Sequence, residues 1–338
     1  MKIVTQKWKN HSKYVSRKVE KERKRYAATS RSVRIKRIKS TFRHVIAPSN
    51  LSIQNNSEET LSFFENVINA IREAKIEGTI FFDLSKIEIV SVDAIMYLIA
   101  IIVNTRKTGA YRLRIKGNYP ENNKAHRIIY DVGFYDYVSG KKTNIKTMNP
   151  KKNRVHIIDG DTADAESSRF FCDFVQCQLN RNLSETKFLY SMIIELMTNT
   201  AQHAYTIDTS VMNRKWYLFA EKEDNAIRFV FLDTGVGIPS TVKKKFGEKA
   251  KEFFRIKEDS KLIASALDGT VKRSETGQEY RGQGLPSIYE TVNQGKADDL
   301  SVISGCGVCF VRYTETRMIE EKNNKYELQG TIFSWIVK

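Results

Sequence analysis

From residue 58 onward the chain alternates segments of helical period with short apolar runs, and this alternation limits it to helices packed on sheets. Residues 58–74 (EETLSFFENVINAIREA) space Leu61, Phe64, Ile68 and Ile71 along one helical face. Gly78 opens GTIFFDLS, a continuous apolar run that reads as a buried strand ending at Asp83. A strongly apolar helix is predicted over 92–107, a second strand over 111–116 and a helix over 122–132, followed by GFYDYV at 133–138. Periodicity is lost from residue 139 in a stretch rich in Lys and Asn, so 141–153 is expected to link two α/β domains, 45–140 and 154–338. In the second, a strand is predicted at 154–158, helices at 166–180 and 185–204, and strands at 215–221 and 226–233. A polar stretch at 240–280, a helix at 285–294 and strands at 300–304, 308–313 and 326–337 complete it. No internal repeat is seen.

Charge divides the chain differently. Of a net +17, residues 1–44 hold sixteen Lys and Arg against two acids, which leaves the remaining 294 residues at only +3. The chain therefore reads as a near-neutral body carrying a basic arm. Such an arm is drawn to phosphate backbones or anionic lipid, or else stays solvated or docks on an acidic partner. No base-reading motif accompanies it, so nucleic acid is one expected partner among several. With 41% hydrophobic residues, 15 Tyr and 18 Phe, the chain has enough apolar material for cores. Its most apolar run, 94–103, is half the length of a membrane span. The N-terminal charges precede no apolar segment of the secretory type. Four Cys in 338 residues suit a reducing compartment, and the expected location is cytoplasmic.

Three segments carry the chemistry. On helix 185–204, Glu195, Asn199 and His203 recur every four residues and so form one polar stripe, with Leu189, Met192, Ile193 and Leu196 on the apolar side. A carboxylate and an amide one turn apart suit a hydrated Mg²⁺ and an attacking nucleophile, although any amphipathic helix shows such a stripe. IRFVFLDTGVGIP (227–239) is a strand ending in Asp233, followed by Gly235 and Gly237. The acid can accept from an exocyclic amino group and the glycines admit a flat ring, but hairpin turns use the same residues. In YRGQGLPSIYE (280–290), Arg281, Gly282 and Gly284 precede a helix beginning near Leu285, whose free N–H groups make an anion site.

The order of these pieces, closed by Gly330-Thr331 on the last strand, resembles that of the GHKL or Bergerat-fold ATPases. These include the ATP-binding parts of gyrase, mismatch-repair ATPases, histidine kinases and anti-sigma serine kinases. The resemblance covers 154–338 and implies a two-layer α/β sandwich that binds ATP and Mg²⁺. It assigns Asp233, with Thr331 acting through water, to the adenine amino group, and Gly235 and Gly237 to the edge of the base. Asn199 becomes the Mg²⁺ ligand and Glu195 the residue that orients or deprotonates the nucleophile. Gly282, Gly284 and Leu285 cradle the phosphates under a lid at 240–280, with Lys272, Arg273 and Arg281 as phosphate contacts. Two features depart from the common pattern: Gln202 stands where a basic residue is usual, and His203 follows it as a substitute contact or as the end of the stripe.

Residues 78–102 resemble the STAS fold of anti-sigma-factor antagonists, over roughly 50–140. In that family a serine beside the helix is phosphorylated; here the aligned turn reads Ser91-Val92-Asp93-Ala94, with Asp93 at the acceptor position, where it also suits a helix cap. Cys306-Gly-Val-Cys309 has metal-ligand spacing, but its expected place across a turn and a strand, with Cys172 and Cys177 on a helix, argues against zinc. The resemblances imply a slow ATPase or nucleotide-driven switch fused to a STAS-like domain and acting on an unidentified protein partner. A serine kinase acting on a separate STAS partner and a nucleic-acid scaffold are the alternatives, and a homodimer is left open.

Overall fold

The computed structural model describes residues 21, 42–73, 78–107, 113–141, 144–202, 215–246, 258–270, 284–312 and 318–338. Residues 42–338 form one compact unit, a mixed α/β body with parallel and antiparallel sheets. Its first part contains β1 (Phe42–Ile46), β2 (Asn50–Leu51), α1 (Ser57–Glu73), β3 (Thr79–Asp83), β4 (Ile89–Val90) and α2 (Val92–Lys107). It continues with β5 (Arg114–Gly117), α3 (Asn123–Asp131) and α4 (Phe134–Ser139). The strands β1, β3 and β5 form a parallel sheet in that order, with Phe42 opposite Thr79 and Thr79 opposite Arg114, while β2 pairs with β4.

After a 3-10 turn at Ile145–Thr147 come β6 (Arg154–Gly160), α5 (Ala165–Leu179), α6 (Leu183–Gln202), β7 (Trp216–Glu223) and β8 (Ala226–Asp233). Then follow α7 (Ile238–Phe246), α8 (Asp259–Leu267), α9 (Gly284–Asn293), β9 (Asp298–Arg312) and β10 (Met318–Val337). The five strands make one antiparallel sheet in the order β6-β7-β8-β10-β9.

Both faces of this sheet are buried. Along β8, Ile227, Phe229 and Phe231 join a core with Phe171, Leu189, Ile193, Leu196 and Ile288, contributed by α5, α6 and α9. The intervening Val230 and Leu232, with Tyr217, Phe219, Ile303 and Ile332, join a second core with α1, α2 and the β3 residues Ile80 and Phe82. This is why β8 reads as a continuous apolar run: an antiparallel strand with one wet face would alternate. The same cause explains α2, which is apolar all round and buried at every position from Ala94 to Ile102. It packs on β8, as α1 packs on β10, and the Tyr97 hydroxyl accepts the Gln329 N–H of β10 at 3.0 Å.

Local chemistry sets several boundaries. Asn182 and Glu185 form a reciprocal cap, Asn182 Oδ1 accepting from Glu185 N at 3.1 Å and Glu185 Oε2 from Asn182 N at 2.8 Å, so α6 begins at Leu183. The run predicted as two strands around a turn at Cys306 is the single strand β9. Gly305, at φ +59°, bends it within the ladder, and β10 takes up the irregularity with four residues opposite Cys306. The polar stretch 240–280 contains most of α7 and all of α8; polar surroundings hid the buried Leu262, Ile263, Ala266 and Leu267. Phe42, Arg43 and His44, read as the end of the basic arm, begin β1. Among the described residues, no helix is long and apolar enough to cross a membrane.

Candidate functional site

The end of β8 sets the centre of the site. Thr331 of β10 and Trp216 of β7 lie opposite Asp233, so its carboxylate emerges where three strands run side by side. The chain then turns sharply: Gly235 N–H donates to Asp233 Oδ1 at 2.7 Å, and Thr234 is tied to Lys215 by its backbone N–H (2.9 Å) and its hydroxyl (3.1 Å), both donating to Lys215 O. Gly237 adopts φ +83°, and a Cβ there would stand 2.9 Å from Ser304 Oγ and 3.1 Å from Gly330 O. Gly330, at φ +106°, brings β10 so close that a Cβ would collide with the Asp233 carbonyl. Neither position admits another residue without strain.

Behind the turn, the buried Ser304 joins three segments. Its hydroxyl donates to Gly330 O at 2.8 Å and accepts from Ile238 N at 2.9 Å, and it lies 2.9 Å from Thr331 Oγ1. With its own proton given to Gly330, Ser304 can only accept from Thr331. The Thr331 proton is thereby fixed away from the site, and the lone pairs of its oxygen are left as acceptors. Ser304 was not singled out from the sequence; its one signal is a hydroxyl inside the apolar run LSVIS.

Asn199, Asp233, Gly237, Leu285 and Thr331 line one hollow, with Leu196, Phe231, Ile238, Thr241 and Phe333 among its walls. With its open mouth it comprises about 400 Å³, and its side chains leave room for little more than one water. Its lining combines aromatic and aliphatic side chains with a few polar ones, the composition of a small-molecule site. Asn199 and Glu195 are half-buried on α6, and Asn199 Nδ2 is buried without a partner among the described residues. A buried amide nitrogen without a partner leaves hydrogen-bonding capacity for a ligand. The Glu195 carboxylate lies against Gly284, the first residue of α9, so an acid stands at a helix N-terminus. A Cβ on Gly284 would overlap that carboxylate.

Gly235 lies beside the hollow, within the turn held by Asp233. His203, Arg281, Gly282, Lys272 and Arg273 lie outside the described residues, as do 247–257 and 271–280 of the expected lid region. Thr241, Phe231 and Phe333 also line the hollow, and their residue types are ordinary for a core and carry no signal in the sequence.

Two other expectations concern separate places. Asp93 is buried at the start of α2, accepting from Ala94 N at 2.7 Å, from Gln54 N at 3.3 Å and from the Ser91 hydroxyl. It caps the helix, and burial raises its pKa against the opposing hydrogen bonds. The four cysteines are free, Cys172 and Cys309 are buried, and burial pushes both thiols up to about 12. No group of three metal-binding side chains occurs among the described residues. No protein-family model matches this chain, and no curated protein is similar to it in sequence.

Proposed function

We propose that residues 154–338 are a Bergerat-type ATP·Mg²⁺ site and that the protein is a slow ATPase or nucleotide-driven switch, with a STAS-like first part. The observation that carries this reading is the gathering of Asn199, Asp233, Gly237, Leu285 and Thr331, drawn from positions up to 132 residues apart, around one hollow. The donor set suits the ligand. Asp233 and Thr331 both present acceptors, which an exocyclic amino group satisfies. Asn199 offers an amide oxygen for a hard cation and a nitrogen with no partner among the described residues. The N-terminus of α9 offers backbone N–H groups to phosphate.

ATP·Mg²⁺ would supply a phosphoanhydride with its charge partly neutralised. Glu195, held at the first residue of α9, would share that helix end with the phosphate. Its carboxylate would then orient a water or hydroxyl nucleophile and receive its proton. The buried capping role of Asp93 makes the α2 turn a poor acceptor for self-phosphorylation. Isothermal titration of the full chain with ATP·Mg²⁺ tests the reading. The expected result is saturable binding that Asp233→Ala abolishes. Absence of binding by the wild type, or equal binding by the variant, would remove it.

A further inference from the structure

Away from the hollow, the near-neutral body holds a second concentration of positive charge. Residues 113–156 contain ten Lys and Arg against three acids, more than the whole excess of the body. This segment also carries a cluster of four exposed or half-buried rings. Tyr135 lies at its centre, with ring centroids at 5.3 Å from Tyr119, 5.8 Å from His126 and 6.3 Å from Tyr130. Tyr119 and Tyr130 are 60% and 67% exposed. Two large exposed rings that share contact with Tyr135 mark an interaction surface rather than a core.

Tyr130 and Tyr135 border a groove between α3–α4 and the β6–β7 edge, of about 530 Å³, to which Arg127, Lys152, Arg154, His156 and Lys222 also contribute, and Tyr119 adjoins it through its contact with Tyr135. Asp131, Asp136 and Glu221 also line it. They are engaged: Asp131 and Glu221 hold Arg154, and Asp136 pairs with Lys141 at 3.3 Å. Arg127, with its side chain 84% exposed, meets Asp131 only at 3.7 Å, and Lys124, one turn earlier on α3, is exposed as well.

We infer that the α3–α4 face, with Tyr119 and Tyr130 as stacking rings and Arg127, Lys124 and Lys152 as phosphate contacts, binds a single strand of nucleic acid. Exposed rings suit unpaired bases, because bases in a duplex are already stacked on one another, and the interleaved cations follow the backbone. A strand needs both features along one path, whereas an acidic peptide or an anionic membrane would use the cations without the rings. The inference does not rest on the ATP site.

The test uses the full chain and a fluorescent oligothymidine or oligouridine of about 15 nucleotides, long enough for one such groove. Binding is followed by anisotropy across salt. Replacing Tyr130 with Ser should weaken binding about 5- to 150-fold, the equivalent of one lost base stack. Arg127→Ser should lower the slope of log affinity against log salt by about 0.7, as for one phosphate contact to a single strand. A 5-bromouracil probe should cross-link to peptides containing Tyr119 or Tyr130. Both substituted side chains are exposed, and unchanged melting of the variants checks that the fold is intact. The inference is overturned if neither probe binds, if neither variant changes binding, or if cross-links map only to residues 1–41. It is also overturned if a duplex, polyglutamate or anionic vesicles compete as well as the single strand.

Discussion

Replacing Ser304 with Ala removes one hydroxyl and three hydrogen bonds at once. Ser304 is fully buried, and its Oγ connects Ile238 N, Gly330 O and Thr331 Oγ1 at 2.8–2.9 Å. The Ile238 N–H loses its partner, and an orphaned buried donor costs about 1–3 kcal/mol. The Gly330 carbonyl, losing its Ser304 donor, adds to this. The expected loss is therefore about 2–4 kcal/mol, or roughly 3–6 °C in melting temperature for a body of about 300 residues.

The same strand supplies the control. Ser301 is also buried, but its hydroxyl has no partner among the described residues, so Ser301→Ala should leave stability within about 0.5 kcal/mol or raise it. Calorimetry of the two variants isolates the hydrogen bonds from the shared change of Ser to Ala. A Ser304→Ala melting point within about 1 °C of that of Ser301→Ala would refute the reasoning. On the ATP reading, the variant should also bind ATP more weakly, since the Thr331 proton is then free to turn into the hollow.

Two further outcomes are expected. Gly284→Ala places a methyl group where the Glu195 carboxylate lies; the side chain can swing aside, so folding should survive while ATP turnover falls at least tenfold with nucleotide binding largely kept, as comparison of turnover with titration would show. Asp83 accepts from Ser85 Oγ at 2.6 Å, Asn118 Nδ2 at 2.7 Å and Ser85 N at 3.1 Å, and these bonds hold its carboxyl well below the usual carboxylate range. A depressed acid stabilises the fold above its unfolded value near 4 and loses that contribution as pH falls. Urea melts should therefore show Asp83→Ala less destabilised relative to wild type at pH 3 than at pH 7, and an equal difference at both pH values would refute this.

Where one face of a segment is decided locally, its structure is legible from the residues alone. The strand at 226–233 was read with the boundaries it has, because Asp224 and Asn225 break the run before it and Thr234-Gly235 after it. The apolar side of α6 was read correctly as well: Leu189, Met192, Ile193 and Leu196 are all buried. Features that depend on pairing with distant residues were not legible. Gly305 looks like a turn until β10 is seen to accommodate it, and α8 buries its apolar residues against β9, some forty residues ahead. Ser304 gains its meaning from Ile238, Gly330 and Thr331 together. Nor does the apolar character of α2 say what covers it.

What covers it has a consequence for how the protein could be dissected. Because α1 and α2 seal the reverse of the antiparallel sheet, cutting the chain near residue 150 would uncover Tyr217, Phe219, Val230, Leu232 and Ile332 on one fragment and the shaft of α2 on the other. Tyr97 would lose the Gln329 amide two positions from Thr331. Neither piece would keep this apolar surface covered on its own.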